Sequence, residues 1–184
     1  FNGNSTVRNN KEIAGLGGGA IVNFGTITFV RDAEFTNNKA SYGGGAIFNA
    51  PAGTITFGGN VTFTNNSTEN SGVIRNDNII IFAKTAMFTG NTAATGGVFS
   101  NGGDVDFVGN AIFTNNSASL GGAISNDLGT ITFNDNFLFS GNTANQGADI
   151  YNTGTINFAP AENKVGTLDG GIYQADNNNA KINK

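Results

Sequence analysis

Apolar residues in this chain recur on two scales. Over short runs they alternate. Gly-Thr-Ile-Thr-Phe at 25–29, 53–57 and 129–133 puts Ile and Phe on one side and Thr on the other, the period-two signature of a half-buried strand. Ala33/Phe35, Val61/Phe63, Ala86/Phe88 and Ala111/Phe113 predict a second short strand, and the GGAI-x-N segments a third. Over a longer span the whole set repeats. A first Phe falls at Phe29, Phe57, Phe82, Phe107, Phe133 and Phe158, and a second follows six residues later at Phe35, Phe63, Phe88, Phe113 and Phe139. Three residues on stands Asn38, Asn66, Asn91, Asn116 or Asn142. Each unit closes on Asn23, Asn49, Asn76, Asn101, Asn126 or Asn152, in steps of 26, 27, 25, 25 and 26. Two residues before each closing Asn stands Ile21, Ile47, Ile74, Phe99, Ile124 or Ile150.

A period of this size suits a solenoid. Helical repeats are excluded, because they need long i, i+3, i+4 apolar patterns and good helix formers, whereas this chain is built from Gly, Asn, Thr and Phe. The pattern predicts an all-β fold: a right-handed, single-stranded parallel β-helix of about six to seven rungs, 25–27 residues each, with three short strands per rung. Its hand follows from the crossover rule. One rung cannot bury its inward face alone. Stacking sets each Phe on the Phe of the next rung ~4.8 Å away, and each buried Phe contributes roughly 1.5–3 kcal/mol. The Asn columns predict side-chain amide ladders running up the stack.

The unbroken repeat predicts one body over residues 1–184: an irregular first rung at 1–23, regular rungs at 24–158 and a decaying end at 159–184. Phe1-Asn-Gly-Asn4 reads as the F-x-x-N half of a rung, which leaves about eight surplus residues around Asn9–Leu16 for a protruding loop or a capping turn. The chain is therefore expected to be a mature fragment or a piece of a longer protein. Near the other end, Lys164 stands at the second-Phe position. The Asn-rich tail from Asp176 is a frayed end or the stub of another rung.

Composition narrows the chemistry. Net charge is −4 and only 12% of residues are charged. No Lys/Arg run exists, which argues against nucleic acid and against an anionic membrane surface. With neither Cys nor His, disulfides, Cys/His zinc sites and His- or Cys-based triads are excluded. The scattered carboxylates lack the clustered acid/base arrangement of β-helix lyases and hydrolases, so a carbohydrate-active enzyme is the lesser alternative, beside a passive stalk. No cofactor is expected. Asp104-Val-Asp106 lacks the further ligands of a Ca²⁺ cage and reads as surface carboxylates. Outward Thr-x-Thr pairs are interrupted by Ile79/Ile81 and Asp104/Asp106, so they reflect strand propensity and not a flat ice-binding array. Ile79 and Ile81 face outward by the alternation. They pack against a loop or a neighbouring domain, or they form a partner patch, which Met87 and Ile112 on the next strand would enlarge.

The alternation of Gly44-Gly-Ala-Ile47 and Gly121-Gly-Ala-Ile124 with Phe35-Thr-Asn-Asn38, Phe63-Thr-Asn-Asn66 and Phe113-Thr-Asn-Asn116 resembles the polymorphic membrane proteins of chlamydiae and related bacterial autotransporters. Cysteines, common in many chlamydial members, are absent here. The resemblance implies a passenger carried to the bacterial surface, or released, by an outer-membrane β-barrel translocator. It also implies adhesion to a host cell-surface protein receptor. The motif Phe is expected to face the core, so contact residues are expected in the variable stretches between motifs: Lys11 and Glu12, then Lys39, Ser41 and Tyr42, then Glu69 and Asn70, with Ile79 and Ile81 as the separate apolar candidate.

Overall fold

The computed structural model describes residues 1–12, 15, 17–159, 164–175 and 181–183. The described residues form three parallel sheets of seven strands, each rung contributing one strand to each sheet. Sheet 1 holds the Ile-x-Phe strands, Thr26–Phe29 through Thr155–Phe158, and ends on Lys181–Asn183. Sheet 2 runs from Ser5–Arg8 and Ala33–Thr36 to Gly166–Leu168. Sheet 3 runs from Ile21–Asn23 to Ile172–Gln174. Register is strict: Phe57 pairs with Phe82 and Phe82 with Phe107, Phe63 with Phe88, and Asn76 with Asn101.

The core follows from that register. The first-Phe file stacks face to face, with centroids 4.9 Å apart for Phe29–Phe57, 5.1 Å for Phe57–Phe82, 4.9 Å for Phe82–Phe107 and 5.0 Å for Phe107–Phe133. The second file stacks alongside, at 4.5 Å for Phe35–Phe63 and 4.4 Å for Phe113–Phe139. Within a rung the files meet edge to face, as in Phe82–Phe88 at 5.7 Å and 88°, which sets positive ring edges against negative faces. Phe99 takes an Ile position and adds its edge to Phe82, Phe88 and Phe107. Phe137 replaces an Ala, and its ring fills the space of the missing side chain at Gly166, where a Cβ would lie 2.0 Å from Phe137 Cζ.

Two amide ladders flank the aromatic files. In one, Asn23, Asn49, Asn76, Asn101 and Asn126 each donate Nδ2 to the Oδ1 of the next rung's Asn at 2.8–2.9 Å, ending on Asn152. In the other, Asn91 Oδ1 accepts from both the side-chain and backbone N–H of Asn66, at 3.1 and 3.0 Å. Asn91 Nδ2 in turn donates to Phe63 O and Asn116 Oδ1. The polar groups of a column buried among phenylalanines are thereby satisfied. The Asn before each ladder Asn has a different task. Asn37, Asn65 and Asn115 take φ of 53–56°, and Gly90 and Gly141 replace them in the other rungs at φ of 65–66°. The motif is therefore Phe-x-(Asn/Gly)-Asn, with a left-handed turn that only Asn or Gly adopts readily. In the Gly-Gly motif the second Gly is held to size by the next rung: a Cβ at Gly97 would lie 2.0 Å from Gly122 O.

Three expectations at the ends are corrected. Phe1 does not begin an F-x-x-N half; it stacks on Phe29 at 4.7 Å, and Val7 and Asn10 take the second-Phe and ladder positions opposite Phe35 and Asn38. The six-residue step from Phe1 to Val7 equals that from Phe29 to Phe35, and a file position follows this spacing and not a local tetrapeptide match. The surplus before Gly19 accordingly shrinks from eight residues to two. Of that expected loop, Ile13, Ala14 and Leu16 lie outside the described residues. At the other end Leu168, not Lys164, pairs with Phe139, and Lys181–Asn183 pairs with Thr155–Asn157 as the stub of a further rung. The rest of the tail, 176–180 and 184, lies outside the described residues.

Replacing Asn91 by Ala strips the acceptor from two buried N–H groups of Asn66. It is expected to cost about 1–3 kcal/mol, read as a lowered urea midpoint. At the left-handed position, Asn65→Ala is expected to cost roughly 1–2 kcal/mol, while Asn65→Gly leaves the midpoint nearly unchanged because Gly serves there in other rungs.

Candidate functional site

Between the second-Phe strand and the Gly-Gly turn, the chain runs along a fourth side of the solenoid. Lys39–Ala40 pairs in parallel with Ser67–Thr68, and single bridges extend the column: Lys11 to Lys39, Ser67 to Thr92, Thr92 to Ser117 and Ser117 to Thr143. Ala40, Thr68 and Ala93 turn inward and are buried. The alternate residues turn out. The structure thus gathers seven sequence candidates, Lys11, Glu12, Lys39, Ser41, Tyr42, Glu69 and Asn70, on one side across three successive rungs. Lys39 Nζ lies 3.3 Å from Glu69 Oε1 across the rung boundary. Glu12 Oε2 accepts from Ser41 N at 3.2 Å. Tyr42 is 55% exposed. The carbonyl of Asn70 accepts from Ala94 N and Thr95 N, tying the turn to the rung above.

The loop on this side is longest at the N-terminal rungs. From the second-file residue to the closing Asn it spans 16 positions for Val7–Asn23, 14 for Phe35–Asn49 and 13 in the rungs that follow. Five of the candidates, Lys11 to Tyr42, therefore sit in the two longest of these loops, and Glu69 and Asn70 in the first loop of regular length. Ile79 and Ile81 do not join them. They stand on the outer face of sheet 1, a different side of the rung from this loop column. Met87 and Ile112, on the following strands as expected, pair with each other on the outer face of sheet 2, beside Leu138.

The carboxylates are dispersed, and among the described residues no three His, Cys, Asp or Glu side chains are grouped to hold a metal ion. Asp135 is held below the usual carboxylate range by its hydrogen bond to Lys164, 2.8 Å away. Asp149 is a departure visible in the repeat whose role the sequence alone does not assign. It replaces the Ala of GGAI, is fully buried, and closes the second amide ladder. Three residues past Leu168, the offset of the ladder Asn in other rungs, stands Gly171, and Asp149 Oδ1 accepts from Asn142 Nδ2 at 3.0 Å while Oδ2 accepts from Gly170 N and Gly171 N at 2.8 and 3.0 Å. Burial raises its pKa above the ordinary 3.8, against those hydrogen bonds and with the Asp169 charge adding to the rise. The signal lay in the sequence as an Asp at a small-residue position, just where the ladder runs out.

The fold and these motifs together define a parallel β-solenoid made of Phe-x-(Asn/Gly)-Asn and Gly-Gly-Ala-Ile units. Residues 32–50 and 107–127 match the model of the Chlamydia polymorphic membrane protein repeat. Each match runs from or near a Phe strand, through the loop column, to the closing ladder Asn. No curated protein and no solved structure matches the chain.

A raised native pKa means that the folded state takes up its proton before the unfolded state does. Asp149 is therefore expected to add stability as pH falls through its raised pKa toward 3.8, and to lose that contribution as pH rises. The unfolding free energy of wild type minus that of Asp149→Asn, followed by urea titration, is expected to grow between pH 7 and about pH 4.

Proposed function

We propose that this chain is part of the surface-displayed passenger of an autotransporter-like bacterial protein, and that it acts as a non-enzymatic module binding a host cell-surface protein. In the full-length protein an outer-membrane β-barrel translocator would deliver it. The matched repeat supports the surface assignment. The division of labour within each rung supports the binding role. The Phe, the ladder Asn and the Gly-Gly turn of the motif are consumed by the core, whereas the loop column presents Lys11, Lys39, Tyr42, Glu69 and Asn70 to solvent. A repeat that keeps its interior and varies its rim suits recognition, as in other solenoids that bind along a stacked side.

Substitution of Lys39, Tyr42 and Glu69 by Ala is expected to leave the thermal midpoint nearly unchanged, since surface changes away from caps and networks stay within about 0.5 kcal/mol. The same triple variant is expected to lose most binding of the purified chain to host cells, read by flow cytometry. Phe88→Ala, by contrast, is expected to cost roughly 3–5 kcal/mol and to lose binding through unfolding, visible by circular dichroism. Undiminished cell binding by the folded triple variant would remove the loop column as the contact surface.

A further inference from the structure

The outer face of sheet 1 departs from its own pattern at two adjacent rungs. Its outward columns read Thr26, Thr54, Ile79, Asp104, Thr130, Thr155 and, beside them, Thr28, Thr56, Ile81, Asp106, Thr132, Asn157. Threonine at such sites favours the strand and keeps the face polar. The third and fourth rungs instead set an apolar pair against an acidic pair in register, Ile79 with Asp104 and Ile81 with Asp106. Ile79 is 37% exposed, Ile81 and Asp106 are half-buried, and Asp104 is exposed. The ion pairs among the described residues are Lys39–Glu69, Arg75–Asp77 and Lys164–Asp135, so among those residues neither Asp104 nor Asp106 has a cationic partner. Asp106 accepts a hydrogen bond from Asn134 Nδ2, and burial still holds its carboxyl above the ordinary range. An open hollow of about 400 Å³ lies against the pair, lined by Asp104, Val105, Asp106, Thr130, Thr132 and Asn134.

We propose that this two-rung patch docks an extended protein segment carrying Lys or Arg at alternate positions. The inference rests on reading the chain as a binding passenger, and it names the chemistry of a partner for the Ile79/Ile81 face. Residues two apart on a strand project to one side about 7 Å apart, so Asp104 and Asp106 match the spacing of i and i+2 in an extended ligand. Rungs lie about 4.8 Å apart, which places Ile79 and Ile81 beneath the aliphatic stems of the same two basic side chains while their cationic heads reach the carboxylates. Long basic residues cover apolar surface with the stem and keep the head at a polar group. The charge complementarity and the apolar pair thus select one kind of ligand together. An acidic or purely apolar segment would satisfy only half of the patch.

The test uses two double variants, Ile79→Thr/Ile81→Thr and Asp104→Thr/Asp106→Thr. Both install the residue that the same columns carry in other rungs, so both are expected to fold with unchanged circular dichroism. Binding of a fluorescein-labelled peptide alternating Lys and Ser is followed by fluorescence anisotropy, against a peptide of equal composition with its lysines contiguous and one alternating Glu and Ser. Saturable binding of the alternating Lys peptide is expected, weaker for both controls. It should fall about tenfold or more in either double variant, the scale of a lost interfacial charge pair, and weaken with added salt. Equal affinity in either double variant, or no binding by the wild-type chain, overturns the proposal. So does wild-type self-association in sedimentation that both variants lose without any peptide binding, which would assign the face to a second copy. Host-cell binding measured in parallel judges the receptor reading separately. A wild-type chain that binds peptide but no cells sinks that reading alone, and one that binds cells but not the peptide sinks only the docking segment.

Discussion

A buried asparagine column is tolerable only if every amide in it finds partners, and this condition organises the molecule. Each ladder Asn presents an oxygen and an NH₂ group to a phenylalanine interior, where an unpaired polar group costs about 1–3 kcal/mol. Stacking removes the cost when the next rung carries Asn at the same depth and register. The phenylalanine files supply much of the burial energy, but dispersion and apolar burial are weakly directional and would tolerate slippage. A slip of one residue would turn Phe outward and set an amide against a ring. The ladders therefore select the register that the aromatic files stabilise, and the two kinds of column hold each other in place.

Because both ends of each strand are pinned, length variation is expelled to the corners. The step from first to second Phe is six residues in every rung from Phe29 to Phe139, whereas the step from closing Asn to first Phe ranges from six to eight and the loop column shortens from its N-terminal rung onward. The end of a ladder is a harder problem than its middle, since the last amide has no successor. Asn152 passes its N–H to Gln174 Oε1 at 3.0 Å. The other ladder is closed by Asp149, a buried carboxylate that also fastens Gly170 and Gly171. A charged acceptor accommodates three donors at once where another Asn would bring its own two N–H groups into conflict with them.

The interior was legible from spacing alone, because like-on-like stacking writes the same residue at the same interval: Phe57, Phe82 and Phe107, or Asn76, Asn101 and Asn126. What escaped was whatever depends on backbone conformation or on three-dimensional succession. The left-handed Asn37 and Asn65 looked like part of an undivided Asn-Asn pair until their φ values separated them from Asn38 and Asn66. At Phe1 the local F-x-x-N match points to the wrong file, whereas the six-residue step to Val7 points to the right one. The stacking of Lys11 on Lys39, with Glu69 two residues past the Ser67 that follows in that column, was readable in outline, since residues at matching offsets in successive rungs must stack. Their separation from Ile79 and Ile81 was not, because it depends on how the rung folds around its corners.

A motif shared by a family is commonly read as the part that does the family's work. Here the shared residues are committed to the interior: Phe35, Phe63 and Phe113 are inaccessible, as are Asn38, Asn66 and Asn116. A partner that approaches from solvent meets the rim and the outward columns instead. Damage to the motif would abolish binding by dissolving the rung, and loss of binding alone would not distinguish this from loss of a contact. The two candidate surfaces differ from the motif in one physical respect, which gives them their standing. Lys39–Tyr42 and the Ile79–Asp106 patch change their chemistry from rung to rung without altering any ladder partner. Only positions with that freedom can vary in recognition while the solenoid remains folded.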